Sequence, residues 1–162
     1  MAVSPHVLPP ASLRRGALLI QPCPGRRRPF RGDVASLKLL QVTCLLGLVE
    51  PHELPDADDL GDELAAAGIE WLHMPVPDFG IPPSAALWRE IAGRIHPRLD
   101  RGETVAIHCW GGLGRSGMIA ARLLAERGRS PDGAVAKIRQ VRPGAIETEA
   151  QEAWIATAGT AA

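Results

Sequence analysis

Tyrosine is absent from these 162 residues, and lysine occurs only twice. The chain therefore carries no tyrosine of its own to be phosphorylated. Its positive charge is almost all arginine, 16 residues of it, and 18 Asp and Glu bring the formal net charge to zero. A coding bias toward Arg, Ala and Gly accounts for that composition. Without bulk charge there is no long-range field to gather nucleic acid or an anionic membrane surface, and neither is expected as a partner. No apolar run approaches 18 residues, which excludes a membrane-spanning helix. No basic segment leads into a long apolar stretch near the start, so a secretory signal is not expected. Cysteine is scarce. Cys23, Cys44 and Cys109 lack the spacing of a disulfide framework and fit a reducing compartment, so a cytoplasmic location is expected. No Cys/His spacing suggests zinc, and neither a metal nor another cofactor is expected.

What is present concentrates in residues 104–117. The β-branched and apolar run Thr104-Val105-Ala106-Ile107 reads as a buried strand leading to His108 and Cys109. Trp110-Gly111-Gly112-Leu113-Gly114 follows, then Arg115-Ser116, then a helical pattern. The glycines mark a tight loop. A glycine-rich loop feeding a helix N-terminus aims backbone N–H groups at one point, and the helix dipole adds positive potential there. Such a site suits an oxyanion and favours the thiolate of a cysteine at its mouth. Arg115 supplies a planar fork matched to two phosphate oxygens. Nucleophile, anion cradle and guanidinium in one loop point to phosphate-monoester hydrolysis through a cysteinyl-phosphate. Cys23 and Cys44 have Pro29 and Glu50 where the arginine would stand.

The stretch resembles the His-Cys-x5-Arg-Ser signature of the cysteine-dependent protein tyrosine and dual-specificity phosphatase superfamily. Within that superfamily it is most like the kinase-associated phosphatases (cyclin-dependent kinase inhibitor 3-like) and their bacterial relatives. The resemblance covers the chain from about Gly16 onward. It implies a protein tyrosine phosphatase-like fold and a phosphorylated protein or peptide as substrate, while leaving the partner kinase unknown. It also implies a general acid from an upstream Asp loop and a tuning role for His108 behind the nucleophile. A further implication is a role near the pocket for Glu147, Thr148 and Gln151, which can orient the hydrolytic water.

The remaining pattern supports that architecture. Residues 1–15, rich in Pro, Ser and Ala, read as a poorly ordered lead-in to one domain spanning 16–162. Strands are expected at 16–21, 42–49, 69–76 and 104–108. Helices are expected after the caps Asp33, Asp56, Ser84 and Ser130, with one ending near Pro97 and another spanning about 116–127. Thr148-x-x-Gln151 is a capping box that opens the last helix. Alternating strands and helices followed by clustered helices predict a three-layer α/β domain with a mainly parallel central sheet flanked by helices. Ligands of such sheets lie beyond the carboxyl ends of the strands, where Cys109 and Asp78 both fall.

Thiolate attack expels a poor leaving group unless it is protonated, so an acid is required. Asp78, 31 residues before Cys109 in a Pro- and Gly-flanked loop, is the candidate. Asp56, Asp58 and Asp59 are alternatives that also suit a helix N-terminus. Ser116 is placed to donate to the Cys109 sulfur. Loop residues 110–114 and the aromatic walls of Trp110 and Phe79 are candidate substrate contacts, although Trp110 also suits a core position under the loop. His108 is expected to hydrogen-bond backbone behind the loop. Glu50 or Glu53 is expected to hold Arg115, without a ranking between them. Arg26, Arg27, Arg28 and Arg31 form a basic loop that is either solvated or recruits an acidic partner. Two other readings use the same loop shape: a non-catalytic phosphopeptide-binding module, and a sulfur-transfer or arsenate-reducing enzyme. The second would need a resolving cysteine, and none is evident near Cys109.

Overall fold

Short apolar runs of alternating facing build the centre of the molecule. The computed structural model describes residues 6–8, 13, 15–26, 29–54 and 56–159. Strands β1 (His6–Leu8), β2 (Ala17–Pro22), β3 (Val42–Gly47), β4 (Glu70–His73) and β5 (Thr104–Cys109) form one sheet in the order β1-β2-β5-β3-β4. All neighbours are parallel except β1, which pairs antiparallel with β2 at the edge. Because strand side chains alternate, Leu18, Ile20, Leu46, Val105 and Ile107 enter one core. Leu19, Leu45 and Ala106 enter the other.

Helices α1 (Phe30–Leu39) and α2 (Ala57–Ala66) cover the second face through Val34, Leu37, Leu60 and Leu64. Helices α3 (Ala85–Asp100), α4 (Gly114–Glu126), α5 (Pro131–Val141) and α6 (Glu149–Ala156) cover the first through Trp88, Ile95, Ile119, Ile138 and Ile155. The sandwich is the expected three-layer α/β arrangement. Among the described residues no helix is long and apolar enough to cross a membrane.

Several boundaries differ from expectation. His6–Leu8, within the expected lead-in, form a strand because Leu8 buries completely beside β2. Of the rest of that segment, only Leu13 and Arg15 are described, and Arg27 and Arg28 of the basic loop also lie outside the described residues. Asp33 does not cap α1, which begins three residues earlier. Its carboxylate instead accepts the Gly25 N–H at 2.8 Å and ties the 23–26 turn to the helix. Strand β3 ends at Gly47 and β4 spans only four residues, although Met74 still donates to Gly47 O at the end of β3 and Val76 to Leu48 O just beyond it. Helix α3 continues past Pro97 to Asp100, since one missing N–H is outweighed by burial of Leu99.

Strand β5 lies at the middle of the sheet, with β2 on one side and β3 on the other. Its carboxyl end is therefore walled by both neighbours, and Cys109 sits there opposite Pro22 of β2.

Candidate active site

The loop after Cys109 turns its carbonyls outward, and each has a partner. Trp110 O accepts from Cys23 N–H at 3.1 Å and from Arg26 Nη1 at 2.9 Å. Arg142 donates to Gly111 O at 3.2 Å and to Gly112 O at 2.9 Å. Leu113 O accepts from Gly117 at 3.1 Å and Ile146 at 3.3 Å. None of the amides of residues 110–113 donates to another described group in return, and α4 begins at Gly114 with its first N–H groups free by helix geometry. A row of unpaired N–H donors at a helix N-terminus is an anion cradle.

Two glycines make this packing possible. Gly112 has φ +68°, and a Cβ there would sit 2.6 Å from the Gln21 backbone. A Cβ on Gly114 would overlap the Glu147 carboxylate.

Arg115 is almost wholly buried, at 2% exposure. Glu53 holds it end-on, accepting from Nη1 at 2.7 Å and Nη2 at 2.9 Å. Nη1 also donates to Val76 O at 3.1 Å. Burial works against the charge, but the Glu53 hydrogen bonds and the neighbouring Cys109, Glu53 and Asp78 outweigh it and raise the Arg115 pKa. The same bond from Arg115 is the main reason the Glu53 carboxyl titrates below its usual range. Between the two glutamates left open above, Glu53 is thus the partner. Glu50 instead joins Glu53 in a reciprocal capping box of the 3₁₀ turn Pro51–Glu53. Arg115 Nε is buried with no hydrogen-bond partner. Buried guanidinium nitrogens are normally satisfied, so this one is a donor available to an oxyanion.

Ser116 Oγ lies 3.4 Å from Cys109 Sγ; Ser116 is fully enclosed and Cys109 is buried but for 3% of its surface. Asp78 comes from the loop beyond β4 and reaches Arg115 Nη2 at 3.3 Å while its own side chain stays 58% exposed. Its Oδ1 accepts the Phe79 N–H at 3.1 Å. The loop is fastened from α6: Thr148 Oγ1 donates to Phe79 O and Gln151 Nε2 to Gly80 O, each at 3.3 Å. Thr148 and Gln151 also form the expected capping box, so the same two side chains cap the helix and tie the Asp loop down. Asp56 stands at the N-cap position of α2 without a side-chain capping bond, and Asp58 and Asp59 lie in the first turn.

Phe79 and Trp110 stand at the rim, 57% and 44% exposed. Trp110 is not a core side chain: Arg26 stacks on its ring at 4.5 Å from the centroid. Cys23 and Cys44 are buried free thiols, pushed up to about 12 and about 11, in each case chiefly by burial. Neither is poised as a thiolate.

His108 meets its expectation only in part. It is fully buried, and neither ring nitrogen makes a well-formed hydrogen bond, although a contact with the Cys109 backbone works to raise its pKa. Burial is the largest cause holding its pKa down to about 4. The imidazole is neutral in the fold, whereas an unfolded histidine charges near 6.5. Between those values the unfolded chain binds the extra proton, so stability falls as pH drops from about 6.5 to about 4. The full loss is on the order of 3 kcal/mol. His108→Gln is expected to flatten urea-midpoint curves measured between pH 7.5 and 5, relative to the parent. Parallel slopes for the two proteins would remove His108 as the cause.

The model of a family described as "Polymorphic toxin system, DSP-PTPase phosphatase" matches residues 22–129. The chain belongs to the DSP-PTPase phosphatase family. Cyclin-dependent kinase inhibitor 3 of Rattus norvegicus is 35% identical over 130 residues, 75% of this chain and 59% of that protein. A probable protein tyrosine phosphatase type IVA A of Dictyostelium discoideum is 41% identical over 87 residues, 52% of each chain. This chain thus spans under two thirds of the length of these relatives. Among solved structures, kinase associated phosphatase with serine replacing its catalytic-site cysteine superposes with a TM-score of 0.86 at 27% identity, covering 97% of this chain and 94% of that one. Tk-PTP in its active form gives 0.66 at 35% identity, covering 85% and 86%. The resemblance read from residues 108–116 and the expected fold class are both borne out. Arg142, by contrast, had no signature in the sequence, and Arg26 was legible only as part of the basic loop, not as a group stacked on Trp110. Arg142 reads there only as the residue before a helix-breaking Pro-Gly.

Proposed function

We propose that this chain is a phosphoprotein phosphatase that works through a cysteinyl-phosphate on Cys109. The observation that carries the proposal is the pinned loop between Cys109 and Arg115, whose carbonyls are all taken while its amides and Arg115 Nε have no partner among the described residues. The sulfur attacks phosphorus as the P–O bond to the leaving group breaks, and Asp78 gives its proton to that oxygen. Water then attacks the cysteinyl-phosphate, Asp78 takes a proton from it, and Ser116 donates to the departing sulfur. The products are the alcohol or phenol and inorganic phosphate, with the thiolate and the acid restored.

The substrate class follows from what lines the mouth. Loop residues 110–114 contain no basic side chain, so the cradle suits one phosphate dianion. The exposed Phe79 and Trp110 suit a phenyl ring or peptide backbone. Phosphotyrosyl peptides are favoured modestly over phosphothreonyl ones, because a phenol leaves more easily. A kcat/KM tenfold higher on any phosphoinositide than on these peptides would overturn the assignment. The unpaired thiols of Cys23, Cys44 and Cys109 support placing the reaction in a reducing, cytoplasmic compartment.

Asp78→Asn tests the acid. Its expected effect is a fall in kcat of about 10²–10⁴ on phenyl or alkyl phosphates, the usual contribution of a positioned proton donor. The loss should shrink on aryl phosphates with acidic phenols, which depart unaided. A loss equal across a leaving-group series would show that Asp78 only supports the loop.

A further inference from the structure

Arg26 belongs to the basic loop that the phosphatase chemistry above does not use. It is exposed, yet its guanidinium is held. Nη1 donates to Trp110 O at 2.9 Å, and the planar group lies 4.5 Å from the centre of the Trp110 ring. The turn that carries it is tied at three points. Cys23 N–H donates to Trp110 O at 3.1 Å, Arg26 N–H to Cys23 O at 3.4 Å, and Gly25 N–H to Asp33 at 2.8 Å. Among the described residues no carboxylate pairs with Arg26. This sets it apart from Arg115, Arg122, Arg127 and Arg139, each of which has an acidic partner. A preorganised guanidinium with an unneutralised charge and most of its donors free thus lies on Trp110, the residue that follows Cys109.

We infer that Arg26, laid on Trp110, is a specificity determinant that reads a second negative charge beside the scissile phosphate of a phosphopeptide, supplied by an acidic side chain or a neighbouring phosphate. The inference rests on the phosphatase reading of the site. The loop between Cys109 and Arg115 holds a single dianion, so a second anion must be met at the rim. There Trp110 is the wall that a flanking residue crosses. Stacking fixes the plane of the guanidinium before substrate arrives, which lowers the ordering cost that weakens most exposed ion pairs. Arg142, on the other side of the loop, already donates to Gly111 O and Gly112 O and is half-buried.

The test compares phosphotyrosyl peptides that differ only in having Glu, phosphoserine or Ala on one flank of the phosphotyrosine. Both flanks are tried, at low and high salt. The readout is the ratio of kcat/KM for the charged peptide to that for the Ala peptide, which cancels any general loss from disturbing the loop. The parent is expected to prefer a charged flank by about fivefold or more, an exposed-pair effect that should fade with salt. Arg26→Ala should bring the ratio to about one, and Arg26→Lys should restore part of it. A parent ratio of one, or a ratio unchanged in Arg26→Ala, would overturn the inference. So would an Arg26 dependence found only with phosphoinositides. Phosphopeptide binding to the Cys109→Ser variant, titrated with the same peptides, gives the ratio without turnover. Absence of turnover on every substrate would therefore count against the phosphatase reading, while the binding ratio still decides the role of Arg26.

Discussion

Cys109→Ser is expected to abolish phosphate-monoester hydrolysis while leaving the protein able to bind phosphate and vanadate. A serine hydroxyl is not ionised at neutral pH, and no general base within the loop stands ready to activate it. The side chain hydrogen-bonded to the sulfur, Ser116 Oγ at 3.4 Å, is another hydroxyl. Loss of a nucleophile that acts with its neighbours as a unit is felt on a scale of at least about 10³ in turnover. The cradle itself does not use the sulfur. Its donors are the loop amides and Arg115, and its carbonyls are pinned from outside by Cys23, Arg26, Arg142 and Ile146. The smaller oxygen therefore leaves the anion site standing. Turnover of p-nitrophenyl phosphate, with titration of phosphate by calorimetry, separates the two effects. Residual turnover above a tenth of the parent would exclude the covalent route. Loss of phosphate binding together with turnover would show that the loop had collapsed.

Most of the elements that place this site are local and were legible as such. The strand before Cys109 is read from β-branched and apolar residues, the loop from its glycines, and the caps at Ser84, Ser130 and Thr148 from hydroxyl residues at helix starts. Each of these three hydroxyls accepts the expected backbone N–H. Asp78 was legible because proton transfer needs a donor and sheet topology brings two strand ends to one rim. What could not be read depends on which side chains meet from distant parts of the chain. Glu53 and Glu50 are equivalent by spacing, and only the 3₁₀ turn aims Glu53 at Arg115. Arg142 lies 30 residues beyond Gly112 in sequence, and its bond to that carbonyl forms only once α5 packs against α4. Asp33 has the residue type and position of a helix cap. A tertiary competitor, the Gly25 amide, takes its carboxylate instead. His108 was expected to bond backbone; the Cys109 backbone is in reach, but sheet packing encloses the ring against Gly47, where a Cβ would stand 2.8 Å from Nε2, and no well-formed bond results. Local rules held where the partner was close in sequence, and they gave way where tertiary contacts competed.

Arg115→Lys is expected to lower kcat by about 10²–10³, equivalent to about 3–4 kcal/mol of transition-state stabilisation, the range for losing one preorganised donor to a developing oxyanion. The charge survives the change, so a Coulombic role alone would predict a small effect. Geometry predicts a large one. Arg115 uses both terminal nitrogens on Glu53, at 2.7 and 2.9 Å, and still has Nε unpaired. Lysine has a single ammonium. If it pairs with Glu53, no donor remains for phosphate; if it turns to phosphate, Glu53 is left with its carboxylate unpaired at the edge of the core. Either outcome costs transition-state binding, and the second also lowers stability. Glu53→Gln separates these effects. It keeps a hydrogen-bonding partner for the fork but removes the charge, so Arg115 retains Nε on the phosphate and kcat should fall less than in Arg115→Lys. Comparing kcat for both variants at a fixed interval below each melting temperature keeps unfolding out of the measurement. A loss under about tenfold in Arg115→Lys, or about 1.4 kcal/mol, would show that the fork geometry is not what the reaction requires. A larger loss in Glu53→Gln than in Arg115→Lys would mean that Glu53 contributes to catalysis beyond holding the arginine in place.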